Sequence, residues 1–445
     1  SRRRHTRFKC DWSSTCALPI CDVARHRAEY ESIPVILGSA TPSLETWYEV
    51  QSGKYTLLSL PDRVSNQTLP DVLLVDLRDA RRAAGGQGAI SRPLHEAMKE
   101  ALAEGGQIIL LMNRRGFSTN IQCPACGHAV RCPDCDVALT LHLSDSTIPP
   151  ARGGGPARQR PPVRGSIALC HQCNYQISAP NRCPECSFEG IRFAGMGTQR
   201  LEQEVRSLFP NTSLLRVDSD TMRQPGSHER AFAQFRAGEV RIMLGTQMIA
   251  KGLDFPNVTV VGVINADTAL HMPDFRASER TFQLVTQVAG RSGRSHRGGR
   301  VIVQTFTPDH AAIQRAADHD FLRFAADELT HRQQFHFPPY SELVRWIARG
   351  EIASQVLALA DSFVASVRRH ARDPDVAAPA QAAAPAPAGA LAPATAAGLA
   401  GTDTGPRILG PAPCPFPKIR GRYRYHVLLC GTKDGNVREI GRAHV

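Results

Sequence analysis

What the sequence lacks narrows its class first. No stretch of the 445 residues approaches ~18 consecutive apolar positions, which excludes a helix that spans a bilayer. A secretory core is missing as well. The arginines near the start lead only into Cys16-Ala17-Leu18-Pro19-Ile20, about five apolar-rich residues where a signal segment needs roughly 7–15. No G-x-x-x-x-G-K-[ST] loop occurs: Gly53-Lys54 is followed by Tyr55 and has no glycine at the upstream position. Acidic residues are the minority charge, 41 against 53 Lys plus Arg, for a net +12. That balance admits a polyanionic partner, but by itself it governs solubility and non-specific binding. A hydrophobic content of 42% supports sizeable cores and excludes global disorder.

The two ends are expected to share an origin outside the protein. Thr15–Ile20 can be encoded by ACG TGT GCT CTT CCG ATC, and the reverse complement, shifted by one base, encodes Ile440-Gly441-Arg442-Ala443-His444-Val445. One DNA segment written on opposite strands at both ends is the pattern of sequencing-adapter read-through. Residues 1–21 and 440–445 are therefore expected to be artefact. They hold six basic residues, one acidic residue and three of the 13 cysteines, so the remainder carries +7 and ten cysteines. Much of the basicity thus comes from the ends.

Between them the pattern is α/β. Apolar runs at 33–37, 72–77, 108–112, 214–217, 241–244, 258–264 and 300–305 read as short buried strands alternating with helices, the signature of a mostly parallel sheet covered on both faces. Ser43 is expected to cap a helix carrying Leu44, Trp47 and Tyr48, and Ser91 one with Pro93 in its first turn. Thr198 is expected to cap another, with Leu201, Val205 and Leu208 inward. Residues 377–400 are almost wholly Ala, Pro and Gly, a linker without core-forming residues. Tyr423–Leu429 reads as a last strand.

Four C-x-x-C pairs stand at Cys123/Cys126, Cys132/Cys135, Cys170/Cys173 and Cys183/Cys186. Each brings two thiolates to a tight knuckle, and two knuckles complete a tetrahedral four-sulfur site suited to Zn²⁺. Eight cysteines make two sites, and four thiolates leave no open position for chemistry, so the metal is structural. Without a secretory segment, disulfide frameworks are disfavoured. Spacing leaves the pairing open. Sequential pairing joins neighbouring knuckles; nested pairing joins the inner pairs and the outer pairs and makes 136–169 a loop on a stapled stem. Because the α/β pattern resumes after Cys186, the module is an insertion.

Further along, Gly245-Thr246-Gln247-Met248 follows a strand and leads to Lys251-Gly252-Leu253-Asp254. Gln287-Val288-Ala289-Gly290-Arg291-Ser292-Gly293-Arg294 then ends a helix. Two guanidinium forks three residues apart suit phosphoryl oxygens. Together with Gly38-Ser39-Ala40-Thr41, these segments resemble motifs III, V and VI of the superfamily 2 helicases. Ile109–Phe117 directly before an eight-cysteine insertion, Glu279-Arg280 with Gln283-Leu284, and Phe337-Pro338-Pro339-Tyr340 narrow the resemblance to the primosomal replication-restart helicases, the PriA family, over about residues 22–438.

The resemblance implies RecA-like helicase lobes, an inserted module with two four-cysteine zinc sites, and a C-terminal α+β domain. It divides the chain into a first-lobe remnant (22–60), a connector (61–90), a second lobe (91–122 with 187–308), the zinc insertion (123–186) and a C-terminal domain (309–439). It implies nested metal sites: Cys123, Cys126, Cys183 and Cys186 in one, Cys132, Cys135, Cys170 and Cys173 in the other. Ser39, Ala40 and Thr41 would couple ATP hydrolysis to DNA movement, Thr246 and Gln247 would lie near DNA or the lobe interface, and Gly252 and Asp254 would line the nucleotide cleft. Gln287, Arg291 and Arg294 would face the γ-phosphate, Arg294 as the finger. The implied activity is ATP-dependent 3′-to-5′ unwinding at stalled or forked DNA and the start of primosome assembly. Its cofactors are two Zn²⁺ with ATP and Mg²⁺. The implied partners are forked or single-stranded DNA, primosome proteins and single-strand-binding protein, for a monomer in the bacterial cytoplasm, associated with the nucleoid and not with membrane. Another superfamily 2 translocase, or a zinc-ribbon nucleic-acid-binding module without a motor, are the alternatives. The phosphate loop and the Asp-Glu-x-His magnesium motif are both absent from these residues, so the polypeptide as written is expected not to hydrolyse ATP.

Overall fold

The computed structural model describes residues 20–60, 70–79, 88–112, 120–142 except 134 and 136, 167–189, 192–194, 198–218, 222, 226–246, 249, 255–290 except 273, 299–370, and 407–431 except 420. Most of the 136–169 loop, the Ala/Pro-rich tract and both ends read as artefact, apart from Ile20 and Cys21, lie outside them. Helices α1 (Ile20–Glu31) and α2 (Leu44–Gln51) come first, then β1 (Asp71–Asp76), α3 (Arg92–Ala103) and β2 (Gln107–Leu111). Five short strands follow: β3 (Asn120–Gln122), β4 (Thr140–His142), β5 (Ile167–Leu169), β6 (Gln176–Ser178) and β7 (Arg192–Ala194). The α/β pattern resumes with α4 (Thr198–Leu208), β8 (Leu214–Val217), α5 (Ser227–Arg236), β9 (Ile242–Gly245), β10 (Val258–Val263), α6 (Asp267–Leu270), α7 (Ala277–Ala289) and β11 (Arg300–Thr305). Last come α8 (Ala311–Ala317), α9 (Phe321–Gln334), β12 (Glu342–Gly350), α10 (Ala353–His370), β13 (Arg407–Ile419) and β14 (Arg422–Gly431).

The α/β strands form one parallel six-stranded sheet in the order β1-β11-β10-β2-β9-β8. Its central strands β2, β9 and β10 are buried throughout because helices cover both faces. Alternation sorts the side chains: Ile109 and Leu111 enter the core beneath α7, α8 and α9, while Ile108 and Leu110 enter the one beneath α3 and α4. The strand expected inside the connector is β1, the edge of this sheet, in register with β11 from Asp71↔Arg300 to Asp76↔Thr305. Helices α8 and α9, past the boundary drawn at 309, add Ile313, Phe324 and Leu329 to the same core.

Two local expectations fail. Residues 33–37 form no strand, and Ile36 is 88% exposed, since no described strand offers these residues a partner and a lone apolar run gains nothing by extending. On α4, Leu201 and Val205 are buried but Leu208 faces outward, and Phe209, four residues beyond Val205, packs on the core instead. The caps at Ser43 and Ser91 are present, each side chain accepting the N–H three residues on.

The cysteine region is a separate five-stranded antiparallel sheet, β6-β5-β4-β3-β7, whose first and last strands along the chain, β3 and β7, extend beyond the expected limits of the insertion. The C-terminal unit is a three-stranded antiparallel sheet, β12-β14-β13, packed on α10 around Phe363, Val367, Val427 and Leu429.

Candidate functional site

The cysteines meet in two groups, Cys123/Cys126/Cys183/Cys186 and Cys132/Cys135/Cys170/Cys173, the sulfurs of each within 4.8 Å of one another. This is the nested arrangement. Cys123 Sγ lies 3.6 Å from Cys186 Sγ, Cys126 Sγ 3.6 Å from Cys183 Sγ, and Cys132 Sγ 3.5 Å from Cys173 Sγ. Disulfide sulfurs would be ~2.05 Å apart. Thiolates arranged tetrahedrally at ~2.3 Å around one ion would be about 3.8 Å apart. The donor set and spacing fit a zinc-sized cation.

Three of the four knuckles close through described backbone. The amide of the residue after the second cysteine bonds the first cysteine's carbonyl: Gly127 N–H to Cys123 O at 2.9 Å, Asn174 N–H to Cys170 O at 3.0 Å, Ser187 N–H to Cys183 O at 2.9 Å. Those residues have φ of +79°, +65° and +57°. A left-handed residue is needed there to turn the chain back, and Gly, Asn and Ser are types that accept it at low or moderate cost. The signal is legible in C-P-A-C-G, C-H-Q-C-N and C-P-E-C-S, most plainly at the glycine.

The two groups have different surroundings. In the outer group (Cys123, Cys126, Cys183, Cys186), Cys186 is exposed; in the inner group, three cysteines are buried and Cys173 is half-buried. The outer knuckle rests on the helicase-like lobe. Gln122 Nε2 lies 3.1 Å from both Asp267 Oδ1 and His271 Nε2, and Arg78 donates to Cys126 O at 3.4 Å. Asp267 also accepts Phe306 N–H at 2.8 Å and the Thr307 hydroxyl at 2.6 Å. Burial raises the Asp267 pKa, but His271 and these donors outweigh it and hold the carboxyl at about 2. The inner knuckle rests on the C-terminal sheet. His171 donates from Nδ1 to Pro413 O at 2.8 Å, and its own carbonyl accepts His426 Nε2–H.

The motif residues are only partly described. Gln247, Gly252, Asp254, Arg291 and Arg294 lie outside the described residues. Thr246 follows β9 and its carbonyl accepts Ile249 N–H at 3.0 Å. Ser39 and Ala40 are exposed, Thr41 is buried, and Ser39 Oγ accepts Thr41 N–H at 3.0 Å. This segment leads into a dock on α7, the helix that carries exposed Gln287. Gln283 donates to Thr41 O at 3.5 Å and Glu279 accepts Leu44 N–H at 3.2 Å. Leu44 is fully buried, and Trp47 meets the edge of Phe321 at 5.4 Å.

Charges reinforce that dock. Arg276 pairs with Glu45 at 2.7 Å, and fully buried Arg332 pairs with Glu279 at 2.6 Å and Glu328 at 3.2 Å. Burial raises the Glu279 and Glu328 pKa values against the pull of Arg332. Sequence reasoning missed Arg332, since an arginine on an amphipathic helix reads as a solvated one.

Two family models match the chain: the helicase conserved C-terminal domain over residues 194–299, and the primosomal protein N C-terminal domain over 333–444. The replication restart protein PriA of Bacillus subtilis (strain 168) is 39% identical over 408 residues, 92% of this chain and 44% of that protein. The protein of the same name from Synechocystis sp. is 42% identical over 326 residues, 72% of this chain and 37% of its own length; that of Treponema pallidum is 36% identical over 421 residues, 95% and 55%. The chain spans about half the length of the curated relatives it matches.

Proposed function

Because this chain belongs to the PriA family of superfamily 2 helicases, we propose that it forms part of an ATP-dependent 3′-to-5′ DNA helicase that recognises stalled or forked DNA and starts primosome assembly. The observation that carries the reading is the eight-cysteine module inserted between β2 and α4 of a parallel helicase sheet, within a match covering 92% of the chain. Other superfamily 2 translocases would not be expected to carry such an insertion here.

In this reading each cysteine group holds one Zn²⁺ through four thiolates, as a structural ion. Bound ATP with Mg²⁺ supplies the γ-phosphoryl group whose hydrolysis drives movement. Gln287, Arg291 and Arg294 face that group from the second lobe, where a permanently charged fork stabilises developing charge, and Gly252 and Asp254 line the cleft. Ser39–Thr41 relay the change, since the segment just beyond them is tied to α7 through Glu279 and Arg276. Thr246 and Gln247 meet DNA or the lobe interface. The protein acts as a monomer at the bacterial nucleoid, with primosome and single-strand-binding proteins as partners.

The 445 residues lack a phosphate loop, and the motor-free alternative, a zinc-ribbon nucleic-acid-binding module, rests on that one observation. A single sample separates the readings. Purified chain should contain two equivalents of zinc, bind forked DNA and show no DNA-stimulated ATP turnover. Adding the family's upstream half in trans, with its phosphate loop, should restore turnover, and Arg294→Ala should abolish it. Failure to restore turnover favours the module without a motor.

A further inference from the structure

The two metal-binding groups differ in what they hold. The outer knuckle is pressed on the helicase lobe: Gly127 sits so close to the Phe306 carbonyl that a Cβ there would be driven into its oxygen, and Gln122, one residue before Cys123, reaches Asp267 and His271. The inner knuckle, Cys170-His171-Gln172-Cys173, touches neither of those lobe residues. His171 is fully buried against the C-terminal sheet, bonded to Pro413 O through its ring and to His426 through its carbonyl. Gly410, at φ +97° in β13, lets the strand pass: its Cβ would stand 2.9 Å from His426 O and 3.6 Å from Gln172 O. Leu409 packs on the module's own core.

The Cys170–Cys173 turn that presents the His171 ring and carbonyl is closed by Asn174 N–H on Cys170 O, and an ion shared with Cys132 and Cys135 would lock it in that shape. The same dependence ties Gln122 and Gly127 to the outer ion. Resting on the reading that both groups bind zinc, we infer that the two ions are clamps with separate tasks. The outer one fixes the module to the helicase lobe, and the inner one holds the C-terminal sheet through the His171–His426 contact. The module is then the rigid link by which the C-terminal unit keeps its position on the motor, and losing one ion frees one side only.

Metal content and hydrogen exchange on the full chain test this. Cys173→Ser should remove one zinc equivalent and speed exchange at least tenfold in β13 and β14 near Cys414 and His426, with the Asp267–Leu270 and Arg300–Thr305 segments unchanged. Cys186→Ser should remove one equivalent and give the converse. His426→Ala should keep both ions yet reproduce the Cys173→Ser pattern, so a misfolded cysteine variant does not decide the matter. Unchanged exchange in β13 and β14 of His426→Ala, or loosening of both sides in both cysteine variants, overturns the division of tasks. Wild-type chain purified without zinc would instead overturn the metal reading on which it rests.

Discussion

The outer and inner cysteine groups are built from the same knuckle but differ in surroundings. Both use C-x-x-C turns closed by a left-handed residue, and both bring four sulfurs within 4.8 Å. The outer group leaves Cys186 exposed and leans on a charged carboxylate, Asp267, inside the helicase lobe. The inner group is the more enclosed and leans on the His426 imidazole and the Pro413 carbonyl of the C-terminal sheet. Identical local chemistry therefore acquires different tasks from whatever the turn is pressed against. Electrostatics follows: one contact depends on an ionised group, the other on uncharged ones.

The largest way to break the outer side is Gly127→Ala. The added Cβ meets the Phe306 carbonyl oxygen in a backbone conformation of φ +79°. A left-handed non-glycine costs about 1–2 kcal/mol and a forced contact in a packed interface about 1–3, so roughly 3 kcal/mol of stability should disappear. Urea unfolding followed by circular dichroism measures it, and a loss under about 1 kcal/mol would mean that the close approach is not held in solution.

Asp267→Asn comes next. The carboxyl titrates at about 2 instead of 3.8, so its depressed value contributes stability that is complete above the unfolded pKa and is lost as pH falls from 3.8 through 2. About 2 kcal/mol should be missing from the variant at pH 7. The deficit should stay flat from pH 8 to 5 and shrink only below pH 4. Comparing variant with wild type at each pH cancels the protonation of metal-bound thiolates. A deficit that grows toward acid would contradict the assignment.

How much of this was legible in the sequence varies with how local the cause is. The buried strands, the Ser43 and Ser91 caps and the four knuckles depend on neighbours within a few residues, and they were readable. The pairing of knuckles was not readable from spacing, which allows two solutions; the family resemblance implied the nested one, and the fold, which places β3 beside β7 and β4 beside β5, brings Cys123 to Cys186 and Cys132 to Cys173. Residues 33–37 misled because a run of apolar residues specifies a strand only where partners exist. Arg332 was invisible for a related reason: beyond its local partner Glu328, its carboxylate partners Glu45 and Glu279 lie 287 and 53 positions away, and burial of an arginine is decided by where they converge. His171 and His426 were equally hidden, separated by 255 residues.

The smallest effect sharpens the comparison most. Burial, with Arg345 and Arg424 nearby, lowers the His426 pKa to about 4 from 6.5, against the opposing pull of its bond to the His171 carbonyl. The neutral ring donates Nε2–H, and among the described residues its Nδ1 has no partner, so protonation there would place an unmatched charge beside two guanidinium groups. The released state takes up the proton first, and the contact weakens as pH falls from 6.5 toward 4. At pH 5.5 the linkage amounts to about 1.4 kcal/mol, roughly a tenfold loss of protection in β13 and β14 relative to pH 7.5. Asp267 stays ionised throughout that interval, so its bonds to Gln122, Phe306 and Thr307 give the outer contact no matching dependence on this carboxylate. Hydrogen exchange at the two pH values, corrected for the intrinsic rate and with zinc content measured on each sample, reads the difference. His426→Gln should abolish the pH dependence in β13 and β14, since an amide gains no proton in this range. If the dependence survives that substitution, its source is the inner thiolates themselves, and the metal rather than the histidine pair sets the acid limit of the C-terminal contact.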